Sequence, residues 1–316
     1  MNRNPNVSIR RIGILEMASP DPERLALWNI FKHRLAELGC PESSDLEFQF
    51  RWAEGRQENL ASAADDLVRM PVDVLVTAGT PAAAAASRAT TDLPVIMATG
   101  VGLGTELTNG TKNRNANVTG ISDLPPGLSA QRLSRLRQAI PGATTFAILA
   151  DRANPSSPLA VRETKEAANG LELEVRDYWV AGPEQIGDAL AAMAKDRVGG
   201  FIVAPGAMFF AKRQILADFA LQHRLPAVSV RREYAEAGCV MAYGSPISEN
   251  YRRAADFVSL TLSGTKPADL PVHQPTAFEF VVNLKSAAAM GLTLPPSLLE
   301  GAEVIHLTPR RSSTTR

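Results

Sequence analysis

Cysteine is scarce: the 316 residues hold two, Cys40 and Cys239, with no CxxC and no Cys/His spacing. A disulfide-dense scaffold and the common zinc patterns are thereby excluded. The four histidines, His33, His223, His273 and His306, are scattered and show no metal-ligand spacing. Excess charge is missing as well. Lys+Arg and Asp+Glu both total 33, so there is no basic stripe for a nucleic-acid partner. No apolar run reaches the roughly eighteen residues of a membrane span. The motifs GxxxxGK[ST], GxSxG and HExxH are absent, which removes the P-loop, the nucleophile elbow and the zincin helix. In "GVGLGTEL", residues 100–107, Gly100 and Gly102 supply a GxG, but Gly104 falls one place early and Thr105 stands where a dinucleotide fingerprint needs its third glycine. No cofactor motif is left, and no cofactor or metal is expected.

What is present is an alternation of short apolar strands and amphipathic helices, with 45% hydrophobic and 21% charged residues. "RRIGILE" reads as a strand, and the helix "DPERLALWNIFKHRLAELG" after it carries Leu25, Trp28, Phe31 and Leu35 at helical spacing. "LEFQFRWA", "VDVLVTAG" and "LPVIMATG" continue as strands, with "RQENLASAADDLVRM" and an alanine-rich segment as the helices between them. Such a βαβ series implies a parallel sheet covered on both faces.

Near Asn109 the texture turns to Asn, Gly and Pro in "TNGTKNRNANVTGISDLPPG", a linker or crossing. A second α/β series follows, from "TTFAILAD" through "VGGFIVAPG" and a helix "FFAKRQILADFALQHR" to "LPAVSVRREYAEAGCVMAYG". The expected fold class is α/β, with two Rossmann-like lobes of parallel strands and a cleft between them. The chain is expected to recross near Tyr243 and return near Pro275. That gives an N-terminal lobe of residues 8–122 plus 245–274, a C-terminal lobe of 123–244 plus 275–307, and a disordered polar tail at 308–316.

In doubly wound sheets ligands collect at the carboxyl ends of strands, beside helix N-termini. Five such ends are legible: residues 17–19, 77–80, 98–100, 151–154 and 204–206. They carry hydroxyls, glycines and backbone amides in place of paired catalytic groups. The candidate ligand residues are Ser19, Thr77, Gly79, Thr80, Thr99 and Gly100 from the first half. Asn154, Ser156 and Gly206 come from the second half, and Tyr243 from the crossing, where its ring could stack on a flat ligand or donate its hydroxyl.

Within "VTAGTPAAAAASRAT", Thr80 is suited to cap a helix and Pro81 to its first position. The bare amides there would favour an anion. Five alanines either let that helix approach a ligand or serve close packing alone. Asp65 and Asp66 read as a solvated helix face. One cysteine in each half admits a third idea, a cofactor-independent racemase with opposed thiols.

The segment "FFAKRQILADFALQHRLPAVSVRREYAEAGCVMAYG", followed by "YRRAADFV" and "GTKPADLPVHQPTAFEFVVNLKSAAAMGLTLP", resembles the ABC-transporter substrate-binding family that includes tryptophan/tyrosine-type permease binding proteins. "RIGIL", "TAGTPAAAAA" and "NVTGIS" stand where that family's first-lobe motifs do, and the likeness spans about residues 10–306. The resemblance implies a type I periplasmic-binding fold with three crossings. It implies a monomer that clasps a small solute, such as an amino acid or related carboxylate, and hands it to ABC importer permease subunits. It also implies a periplasmic location. The opening "MNRNPNVSIRRIGILE" has no apolar h-region, so the expectation is a chain trimmed of its leader, or a cytoplasmic protein if this start is native. A ligand-sensing domain for signalling is the alternative on the same fold. Two positions depart from the family pattern: Gly100 to Leu103 replace an Asp-containing turn, and Cys239 replaces a glycine.

Overall fold

The computed structural model describes residues 9–42, 46–101 and 117–306. Residues 102–107 of "GVGLGTEL", the start of the Asn-rich crossing and the 308–316 tail lie outside these.

Five strands, β1 (Arg10–Glu16), β2 (Leu46–Trp52), β3 (Val74–Ala78), β4 (Val95–Thr99) and β5 (Val118–Gly120), form one parallel sheet in the order β2-β1-β3-β4-β5. Every residue of β3 and β4 is buried, as expected when helices cover both faces. Alternation along β3 divides the core. Val74 and Val76 pack with Trp28, Phe31 and Leu35 of α1 (Pro22–Glu37) and with Tyr251 and Val258 of α10 (Ile247–Leu262). Leu75 faces the other way, onto α2 (Glu58–Arg69) and α3 (Thr80–Ala89). At the sheet's edge Gly120 has φ +125°, and a Cβ there would lie 2.3 Å from the Met97 carbonyl oxygen, so only glycine lets β5 lie against β4.

Asp21 caps α1 by accepting from the Arg24 amide at 2.8 Å, with Pro22 in the first turn. The buried seam of α1 differs from expectation. Arg24, Trp28, Phe31 and Leu35 are the buried positions, and Leu25 is 43% exposed. The arginine occupies the inward position, and the leucine beside it faces solvent.

The second sheet has seven strands: β6 (Thr145–Asp151), β7 (Glu174–Val180), β8 (Phe201–Val203), β9 (Ala227–Ser229), β10 (Met241–Gly244), β11 (Glu279–Asn283) and β12 (Glu303–Ile305). Their order is β12-β11-β10-β9-β8-β6-β7. All neighbours are parallel except β10 and β11, which run antiparallel. That exception to the expected parallel sheet has a topological cause. After β10 the chain crosses to lay α10 on the first sheet. It then touches the β5 end, where His273 donates to the Gly120 carbonyl at 2.9 Å, and re-enters the second sheet from the opposite end. The expected single helix over "FFAKRQILADFALQHR" is two, α7 (Ala207–Ala211) and α8 (Arg213–Gln222), broken at Lys212.

Candidate functional site

A cavity lies between the carboxyl ends of the two sheets. Glu16, Met17, Gly79, Thr80, Pro81, Thr99 and Gly100 line it from the first, and Asp151, Asn154, Ser156, Gly206 and Met208 from the second. Arg24 of α1, Asp123 of a crossing segment and Arg231 complete the wall, around about 580 Å³ of space that is partly open to solvent. A recess behind it shares Asp123, Gly206 and Arg231 and adds Arg132, Phe210, Tyr234 and Asn250.

Seven of the ten sequence-derived candidates meet there: Gly79, Thr80, Thr99, Gly100, Asn154, Ser156 and Gly206. Three do not. Ser19 is exposed beyond the end of β1. Thr77 is fully buried within β3, and its hydroxyl has no partner among the described residues. Tyr243 lies in β10 with its ring against Phe278 and Phe280 and under the Arg135 guanidinium, 3.7 Å from the ring centroid. Its neighbour Ala242 faces a different cluster, and strand alternation sends Tyr243 into the second-lobe core with Met241.

At the alanine helix the cap is Gly79, at φ +97°, and Thr80 is already the first helical residue. The expected cap at Thr80 and Pro at the first position are each displaced by one. The Thr80 hydroxyl accepts from the Val101 amide at 3.0 Å, and the Gly79 amide reaches both the carbonyl and the hydroxyl of Thr99 at 3.0 Å. Those bonds tie the end of β4 to the start of α3. The Thr80 and Ala82 amides have no hydrogen-bond partner among the described residues. The alanines themselves serve packing. Ala82, Ala83 and Ala86 are fully buried against α2 and the sheet.

Across the cleft, α5 (Ser157–Gly170) begins differently. Asn154 Oδ1 accepts from the Ser156 amide at 3.0 Å and the Ser156 hydroxyl at 2.9 Å, and its Nδ2 donates to the Pro205 carbonyl at 2.9 Å. Asp151 accepts from the Ala153 amide at 2.9 Å. Burial raises its carboxyl pKa, against the pull of the Ala153 and Asn154 amides.

The charged members were not singled out in the sequence as site residues. Glu16 is 1% exposed; its Oε2 accepts from Trp28 Nε1 and the Tyr251 hydroxyl, both at 3.2 Å, and its Oε1 from the Ala18 amide at 3.1 Å. Arg24 is buried, and although burial works against its charge, Glu16 and Tyr251 more than offset it and hold the pKa above the ordinary arginine value. Half-buried Asp123 is pushed up to about 6 by burial, against the attraction of Arg231 and Arg132. Burial pulls Arg132 down to about 10 and lowers Arg231 as well, the latter with further repulsion from Arg24. One signal was in plain view: Glu16 ends an apolar strand, the position from which a doubly wound sheet presents ligand groups. The absent acidic turn at residues 100–103 is answered in part by Asp123 and Asp151, which stand elsewhere on the same wall.

Neither cysteine lines the cavity, and burial pushes the Cys239 thiol up to about 12, so opposed thiolates have no geometric basis here. Among the described residues no group of three His, Cys, Asp or Glu is placed to hold a metal. None of the helices there is long and apolar enough to cross a membrane.

Two mostly parallel sheets with three crossings and a cleft at their carboxyl ends define the type I periplasmic-binding architecture. The family described as "ABC transporter substrate binding protein" matches residues 11–305, and the chain belongs to it. A solved structure of an ABC domain in complex with L-Trp from Streptococcus pneumonia is 26% identical, covers 94% of this chain and 100% of its own, and superposes with a TM-score of 0.85. A conserved domain protein from Vibrio cholerae shares the fold at a TM-score of 0.86 and 21% identity, covering 94% of this chain and 99% of its own. The tyrosine-binding protein of Clostridioides difficile is 21% identical over 265 residues, 83% of this chain and 75% of that protein. Family membership carries with it a small-molecule ligand and a transporter permease as partners.

Proposed function

We propose that the chain captures a small α-amino acid between its lobes and delivers it to the permease of an ABC importer. The observation that carries this reading is the wall of the cavity. It joins carboxylates, guanidiniums and the bare amides of α3 in one enclosure, which suits a ligand bearing both charges. The α3 amides and the positive end of that helix serve a carboxylate, and Asp151 and Asp123 serve an ammonium group. Relatives that bind tryptophan and tyrosine support the solute class.

The mechanism is hinge closure: a ligand that touches both walls binds the closed form better and shifts the population toward it. Glu23 of α1 and Arg213 of α8 already meet across the cleft at 2.5 Å. On this reading the chain works as a monomer outside the cytoplasmic membrane and binds its solute without converting it. Thermal shift and calorimetry with the twenty L-amino acids test it. A ligand at about 100 times its dissociation constant adds roughly 2.7 kcal/mol of stability and is recovered intact. Steady product formation, or no binding by any of the twenty, sinks the reading.

A further inference from the structure

We propose that the cavity selects a solute with a second carboxylate, held between Arg24 of the first lobe and Arg231 of the second, which makes the ligand an acidic amino acid. The proposal rests on the amino-acid reading above and narrows it.

Arg24 is 3% exposed, and its guanidinium carbon lies 5.1 Å from the centroid of the Phe210 ring. The Arg231 guanidinium carbon lies 5.1 Å from the same centroid, so the two cations stand no farther apart than twice that distance. Both line the cavity. Arg24 Nε and Arg231 Nη1 are buried, and neither has a hydrogen-bond partner among the described residues. A buried N–H of a charged group left unmatched is costly, and two like charges in a region of low polarity repel.

The acids nearby support the arginine charges but leave these two N–H groups unmatched. The Glu16 oxygens accept from Trp28, Tyr251 and the Ala18 amide. Asp123 is shared between Arg231 and Arg132. Across the cavity and its recess Glu16, Asp123 and Asp151 face Arg24, Arg132 and Arg231, so side-chain charge balances. The N-terminal ends of α3 and α5 then tip the enclosure positive, which fits a solute of net negative charge. A carboxylate between the two guanidiniums takes up both free N–H groups. Because one arginine comes from each lobe, a carboxylate bound to both ties the lobes together. The main cavity has no aromatic side chain among its described lining residues, so an indole or phenol finds no ring to stack on there.

The test compares L-glutamate with L-glutamine by calorimetry on the full chain, since the two differ chiefly in one negative charge. L-glutamate is expected to bind at least about tenfold more tightly, the scale of a charge-assisted pair. Arg24→Gln and Arg231→Gln should each bring the ratio of L-glutamate to L-glutamine affinity to within about threefold of unity, whatever the absolute affinities become. The wild-type ratio needs no variant, so a variant that fails to fold leaves the test intact. Equal affinity for the two, or tighter binding of L-tryptophan or L-tyrosine than of L-glutamate, overturns the proposal and leaves the amino-acid reading standing. If no amino acid binds but succinate does, with its affinity lost in both variants, the amino-acid reading fails and the arginine pair stands as a dicarboxylate site. If succinate also fails to bind, both fall.

Discussion

The helices that open onto the cleft from either side share a Pro in the first turn and differ in what holds the chain just before it. At α5 the loop before the helix is tied by its own side chains: Asn154 bonds the Ser156 amide, the Ser156 hydroxyl and the Pro205 carbonyl, and Asp151 holds the Ala153 amide. At α3 the side chains are spent on holding neighbouring backbone in place, Thr80 on Val101 and Thr99 on Gly79. The first helical amides there are left open among the described residues. The Ser157 amide is taken up by the Asn154 carbonyl, whereas the Thr80 amide, next to Gly79 at φ +97°, has no partner among the described residues and is open to the proposed anionic group. Similar residue types at equivalent strand ends thus do different work, and substitutions on the two sides should separate stability from affinity.

The largest effect is expected on the α5 side. Asn154 is 5% exposed and makes three hydrogen bonds, so Asn154→Ala should cost about 3 kcal/mol in urea unfolding. Calorimetry on the folded fraction should show an affinity change of no more than about threefold if those three bonds are the side chain's whole contribution. An affinity loss larger than the stability loss would make α5 a binding end and erase the contrast.

Ala83→Leu sharpens the same contrast from inside α3. Ala83 has no exposed surface and belongs to the cluster with Leu60 and Leu67 of α2, away from the cavity lining. Overpacking there should cost about 2 kcal/mol and leave affinity unchanged. Weakened binding at retained stability would return the alanines to the ligand.

A smaller stability effect with a larger functional one is expected at Thr80→Val. The Val101 amide loses its acceptor, at about 1 kcal/mol. The end of β4 then shifts against the bare amides, so affinity should fall by about tenfold, the equivalent of roughly 1.4 kcal/mol. Normal affinity in this variant would mean that the α3 end is scaffold.

Much of this was legible because local patterns carried it. The runs "VDVLVTAG" and "LPVIMATG" are strands buried on both faces, and the Gly-Thr-Pro start of α3 follows from turn and helix chemistry. The charged core of the site was less legible. Helical spacing fits Leu25 and Arg24 almost equally well. The choice of Arg24 depends on Glu16 and Tyr251, the latter more than two hundred residues away in sequence, which make a buried guanidinium tolerable. Tyr243 misled because a strand-end aromatic can face either layer, and only the pairing of β10 with its neighbours decides which. The antiparallel β11 depends on where α10 goes, a fact of topology that no local window contains.

The finest contrast concerns acids on the wall, and Asp123 tests it through pH. Burial pushes its carboxyl up to about 6, with Arg132 and Arg231 opposing the shift. An unfolded-chain aspartate titrates at about 3.9. Between these values the folded protein holds a proton that the unfolded chain has released. The folded form therefore binds more protons there, and stability falls as pH rises through that window. Asp123→Asn cannot ionise, so its melting temperature relative to wild type should climb from about pH 4 to about pH 6 and level off above it. Contributions from the other titrating groups largely cancel in that difference, as does the constant offset from altered contact with the arginines. A difference curve that is flat from pH 4 to 7 would mean that Asp123 titrates as an ordinary surface acid. A curve that falls would mean that its attraction to Arg132 and Arg231 outweighs its burial.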